Sequence, residues 1–178
     1  MKNVLSAIAL TLITASTFGM IYLELAERNI ESNYSMKFDT RSTDGTFSGL
    51  DGVVVFSPDD LENALIDVSV DAETIDTGMK KKDEHARSAD WLDVEKYPKI
   101  SFKSSSFTKS ENGYLVSGSL TLHGTTKQVS IPFSFENDVF SGSFTINRSD
   151  YGVTGSGMKA KFVGEEIEIS YNIPTSLK

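Results

Sequence analysis

Ile66-Asp67-Val68-Ser69-Val70-Asp71-Ala72-Glu73 alternates apolar and polar residues without a break. Successive side chains of a β-strand point to opposite faces, so this stretch has one dry face and one acidic or hydroxyl face. The pattern recurs after Tyr34: in Tyr34–Asp39, Val129–Glu136, Phe140–Asn147 and Ile167–Ile173. One dry and one wet face per strand is what an antiparallel sheet around a single core requires. Turn signals separate the runs. Asn112-Gly113 precedes Tyr114–Leu122, Asn137-Asp138 joins two runs, and His123-Gly124-Thr125-Thr126 joins another pair. Such pairs suit tight hairpins. The count comes to about eight or nine strands, and a sheet of that size curls and exposes edges unless it closes. A barrel of about eight strands holds either packed side chains or one small ligand. Gly118 and Gly142 fall on inward phases, where they either relieve crowding at a bend or leave room for a guest.

One segment breaks the alternation. Asp83–Val94 reads as a helical or irregular excursion, and Trp91, Leu92 and Val94 can pack it over a barrel end as a lid. Just before it, Lys80-Lys81-Lys82 is the only dense basic run, and Asp83 and Glu84 follow. It reads as a solvated turn, with a rim for an anionic headgroup as the second reading.

The chain has 178 residues, with 39% hydrophobic and 24% charged residues, enough for one globular domain plus an N-terminal extra. Its net charge of −8 argues against nucleic acid, which calls for clustered Lys and Arg. There is no cysteine, which removes disulfides, thiolate metal sites and Cys nucleophiles.

Lys2 is followed by the apolar run Val4–Ile13, and no charge returns until Glu24. A short positive start and an apolar run form the layout of a secretory signal. Residues 3–23 are also close to the ~20 positions of a bilayer span, diluted by Ser6, Thr11, Thr14, Ser16 and Thr17. Cleaved signal and retained anchor both put the following domain outside the cytoplasm. The expected organisation is therefore residues 1–23 as signal or anchor, polar residues 24–33 as linker, and residues 34–178 as the β-domain.

A series of segments in order resembles the YceI-like family, the lipid- or polyisoprenoid-binding family of exported bacterial proteins. The segments are Gly45–Leu50, Thr74–Gly78, Lys82–His85, Ser88–Phe102, Val116–Lys127 and Phe144–Val153, covering roughly residues 34–175. The resemblance implies an all-β, extended eight-stranded antiparallel lipocalin-like barrel with a short helical segment. It implies an elongated apolar tunnel for an isoprenoid chain, a polar headgroup at its mouth, a periplasmic or secreted setting, and no metal or other cofactor. Family members often carry Arg-Asp-x-His-Leu after the Thr-Gly turn. Here Lys82 stands in place of the Arg and Ala86 in place of the Leu.

Ile66, Val68, Val70, Phe102, Leu120, Phe133, Phe144 and Ile169 share the apolar phases and are the expected tunnel residues. Lys82, Asp83, His85 and Trp91 are the expected mouth. An enzyme is not expected. His85 and His123 are far apart and lack Cys partners, and no nucleophile elbow or phosphate loop occurs. His85 beside Asp83 could work as an acid–base pair on a lipid, or could hold the lid by a structural hydrogen bond. His123, next to Gly124, reads as a surface or capping residue. The expected function is transport or storage of an isoprenoid-like or fatty amphiphile in the cell envelope. The competing readings are a lipid hydrolase or isomerase and a stress-related envelope protein with a filled core. A membrane tether through residues 3–23 and a homodimer are the partner arrangements left open.

Overall fold

The computed structural model describes residues 26–155 and 163–178. The signal or anchor expected at residues 1–23 lies outside them. Ten strand segments follow in order: β1 (Glu27–Ile30), β2 (Ser35–Asp39), β3 (Asp44–Thr46), β4 (Asp51–Val55), β5 (Leu65–Asp71), β6 (Lys99–Ser110), β7 (Gly113–Leu122), β8 (Thr125–Glu136), β9 (Val139–Asn147) and β10 (Glu166–Leu177). A single α-helix, α1 (Lys80–Arg87), stands among the described residues between β5 and β6, and short 3-10 turns occupy Ala72–Thr74 and Arg148–Tyr151.

All strand pairs are antiparallel, and the sheet runs β1-β4-β5-β6-β7-β8-β9-β10 and closes where β10 pairs with β1. That is a barrel of eight staves. The remaining two segments are halves of broken staves. β10 pairs with β1 through Thr175–Leu177 and with β2 through Glu168–Asn172, so β1 and β2 together make one stave interrupted near residues 31–34. β3 continues the next stave, held by pairing to β2 and by an isolated bridge from Thr46 to Asp76. Gly49, with φ 72, takes the chain across the gap to β4.

The polar stretch 24–33, expected as a linker, is therefore partly structural. Glu27–Ile30 is a strand of the barrel, and Arg28 in it is buried. Two hairpins are tight. His123-Gly124 and Asn137-Asp138 each place both central residues at positive φ, the geometry whose twist matches that of the flanking strands. At the third, Ser110 pairs directly with Gly113, so the turn is Glu111-Asn112 and Gly113 opens β7 at φ 134. β6 carries a bulge between Ser104 and Ser106, which bends the strand where Gly118 lies opposite.

Gly118 and Gly142 leave no space for a guest. A Cβ at Gly118 would meet the Phe102 ring at 2.7 Å, and one at Gly142 would meet the Tyr171 hydroxyl at 2.7 Å. Both glycines are covered by an aromatic from the wall, which matches the relief-of-crowding reading.

The two ends differ. At one, Phe56 is fully buried, its ring centroid 5.0–6.0 Å from Phe135, Phe140, Tyr114, Phe133 and Phe107. Arg28 sits beside this plug, 4.5 Å over Phe135, donating through Nε to Phe56 O at 3.0 Å and pairing with Asp138 at 2.7 Å. The other end carries α1 and the Trp91 loop.

Candidate functional site

Between the plug and α1 the barrel encloses a cavity of about 740 Å³. The dry faces of the strands make its wall. β5 contributes Ile66, Val68 and Val70; β6 and β7 contribute Ile100, Phe102, Val116, Leu120 and Leu122; β9 and β10 contribute Phe144, Ile146, Ile167, Ile169 and Ile173. At roughly 3.3 Å per residue, Ile167 to Ile173 alone span about 20 Å along β10. The filled-core reading fails here: the interior is hollow and lined by hydrocarbon.

All eight expected tunnel residues line this cavity: Ile66, Val68, Val70, Phe102, Leu120, Phe133, Phe144 and Ile169. Alternation alone was sufficient because inward phase and cavity wall are the same positions in a barrel.

The mouth is built by α1, the loop after it, and the β2–β3 turn. Thr40, Thr43, Thr77, Lys81, Lys82, His85, Trp91 and Arg148 reach the lining there. Two contacts clamp α1 onto the turn after β5. Asp83 accepts from the Thr77 amide at 2.8 Å and from its hydroxyl at 2.6 Å. Arg87 donates to the carbonyls of Glu73 at 2.6 Å and Ile75 at 2.8 Å. The Thr77 hydrogen bonds hold the Asp83 carboxyl below the usual carboxylate range.

Lys82, His85 and Trp91 stand where they were expected. Asp83 does not. It is buried behind the helix, outside the cavity lining, because its carboxylate is spent on Thr77. The basic run Lys80-Lys81-Lys82 is solvent-exposed as expected and forms the first turn of α1, and its second and third lysines border the cavity.

The indole Nε1–H of Trp91 donates to His85 Nε2 at 2.8 Å. Indole is a donor only, so His85 Nε2 is the accepting nitrogen and its lone pair is occupied. Trp91 in turn lies under the Arg148 guanidinium, 5.2 Å from its ring centre. Arg148 was not anticipated. It is buried and donates to the carbonyls of Val153 at 2.6 Å, Gly164 at 2.9 Å and Val163 at 3.2 Å, tying the end of β9 to the approach to β10. Its position in the Asn147-Arg148-Ser149-Asp150-Tyr151 turn was visible, but nothing in the alternation marks a charged residue as interior. His123 has the capping role expected of it. Its ring packs on Tyr97 at 4.6 Å, with Nδ1 3.3 Å from Tyr151 O.

The comparisons with known proteins agree with this geometry. The UPF0312 protein of Vibrio cholerae is 31% identical over 136 residues, covering 70% of this chain and 71% of the relative. A UPF0312 protein of Pseudomonas savastanoi pv. phaseolicola is 32% identical over 138 residues, 71% of each chain. Among solved structures, Burkholderia cenocepacia BcnA shares the fold with a TM-score of 0.77 at 23% identity, covering 83% of this chain and 99% of that one. A polyisoprenoid binding domain from Saccharophagus degradans, implicated in plant cell wall breakdown, superposes with a TM-score of 0.64 at 12% identity, covering 86% of this chain and 99% of that one. The model of the YceI-like domain matches residues 12–174, and the chain belongs to that family.

Proposed function

We propose that this protein binds one amphiphile by its apolar tail, of the isoprenoid class, and carries or stores it in the cell envelope after export. The observation that carries this reading is the continuous hydrocarbon-lined cavity of about 740 Å³ with a polar mouth. That volume falls within the roughly 300–1,000 Å³ of small-molecule sites. Each buried methylene contributes about 0.8 kcal/mol, so about fifteen carbons give on the order of 12 kcal/mol gross. Association and ordering of the chain take back about 4–15 kcal/mol, so useful affinity requires a cost in the lower part of that range, which a preformed cavity favours; no catalytic group is involved. The polyisoprenoid-binding relative of the same fold supports the choice of tail. The apolar run after Lys2 supports export.

The enzyme alternative rests on His85 and Asp83 as an acid–base pair. Both are committed elsewhere, His85 Nε2 to Trp91 and Asp83 to Thr77, which counts against it.

Organic extraction of protein purified from its native host, followed by mass spectrometry, tests the reading. A stoichiometric prenyl or related single-chain lipid is expected. Phe144→Asp, placing a carboxylate on the cavity wall, should lower the amount retained in a protein that still shows native circular dichroism. Lipid-free protein that also ignores a fluorescent prenyl probe would overturn the proposal.

A further inference from the structure

The chain carries 25 acidic against 17 basic residues, yet no carboxylate lines the cavity among the described residues. The charged side chains at the mouth are cationic: Lys81 and Lys82 from the first turn of α1, and Arg148 from the end of β9. Lys37 also borders the cavity, but it pairs with Ser170 on the outward phase of β2, so its side chain belongs to the outer face. The acids nearest in sequence are turned away. Asp83 is held by Thr77, and Glu84 lies 3.9 Å from Lys80, the lysine that does not reach the lining. Lys82 extends from α1 toward the β2–β3 turn, its Nζ 3.4 Å from the Thr43 hydroxyl. Among the described residues neither Lys81 nor Lys82 has an ion pair. Thr40, Thr43 and Thr77 supply hydroxyls around the same opening.

We infer that the bound amphiphile carries an anionic headgroup, a phosphate or a carboxylate, held at the mouth by Lys81 and Lys82 with the threonine hydroxyls. This rests on the tunnel reading and deepens it: the wall selects the tail and the lysines select the head. An alcohol or quinone head would offer these two exposed ammonium groups no counter-charge. An anion supplies it through charge-assisted hydrogen bonds, which are stronger than neutral ones. A lysine is suited to this task as a mobile point charge that tolerates more than one anion geometry. An anion held there bridges α1 to the Thr40–Thr43 turn across the opening.

The test uses the full chain and head-matched probes with a common tail. Geranylgeraniol is compared with geranylgeranyl monophosphate, and hexadecanol with palmitate, in the wild type and in the Lys81→Gln/Lys82→Gln variant. The wild type should prefer the anion of each pair by about tenfold at low salt, as two partly exposed ion pairs allow. The preference should shrink as ionic strength rises from about 0.01 M to about 1 M, where the Debye length falls from about 30 Å to about 3 Å. The double variant should lose the preference, its affinity for each anion falling to that for the matching alcohol. Which pair shows the larger preference separates a prenyl phosphate from a fatty acid. Equal affinity for alcohol and anion would overturn the headgroup assignment while leaving the tunnel intact. A preference that survives in the variant would overturn the role of these lysines. Failure of all four probes to bind would overturn both readings.

Discussion

Replacing Phe56 by Ala tests whether the tunnel ends where the aromatic plug stands. Phe56 is fully buried and contacts five rings, and Arg28 donates to its carbonyl. A buried Phe→Ala change costs about 3–5 kcal/mol. The upper part of that range applies, because the ring partners come from β6, β7, β8 and β9 and a closed barrel cannot collapse around the hole. Against a total stability of about 5–15 kcal/mol, the variant stays folded in all but the weakest case, and Phe56→Leu supplies a milder comparison. Phe56 does not itself line the cavity, but Phe133 and Phe140, which pack on it, do, so the vacated volume opens to the cavity once those two rings shift. Prenyl alcohols of increasing length should therefore gain affinity with each unit in the wild type until the plug is reached, then level off. In Phe56→Ala the levelling should move out by about one five-carbon unit, worth at most about 4 kcal/mol before ordering costs. Denaturant unfolding reads the first effect and a fluorescence displacement series reads the second. A loss below about 1 kcal/mol would refute the packing argument, since surface positions behave that way. An unchanged length limit in a folded variant would refute the claim that Phe56 closes the tunnel.

Three further outcomes follow from the same geometry. Gly118→Ala drives a methyl against the Lys103 carbonyl and the Phe102 ring and should cost about 1–3 kcal/mol in denaturant unfolding; a loss near zero would contradict the crowding at that site. Arg28→Ala strips the Phe56 carbonyl of its donor and uncovers Phe135; a loss of about 2–3 kcal/mol is expected, mostly from the buried acceptor, because the Asp138 partner is half exposed. Burial pushes the Tyr171 phenol well above its ordinary value. A pKa raised on folding gives stability that is present below the unfolded value, about 10, and lost as pH rises above it. Tyr171→Phe should therefore lose less stability than the wild type between neutral and strongly alkaline pH, and identical pH curves would contradict that.

Strand identity, phase and the cavity wall were readable because a barrel turns the two-residue repeat directly into inside and outside. Ile66, Phe102 and Ile169 needed nothing else. The failures share one cause: residues whose burial is set by partners distant in sequence. Glu27-Arg28-Asn29-Ile30 looks like linker, since its inward residue is an arginine whose position depends on Asp138, Thr175 and the Phe56 carbonyl. Arg148 is hidden for the same reason, being satisfied by carbonyls of Val153, Val163 and Gly164. Asp83 had the right neighbourhood and the wrong direction, because one turn of helix decides whether a side chain faces the mouth or Thr77. The broken staves escaped notice because each half is too short to show a period.

The closure of β10 on β1 has a geometric consequence. Ala26 bonds to Phe56, and Lys178 bonds to Glu27, so both termini of the described domain emerge beside the aromatic plug, diametrically across from the lysine helix. The described chain thus enters and leaves at the plugged end of the barrel, and the mouth lies at the other.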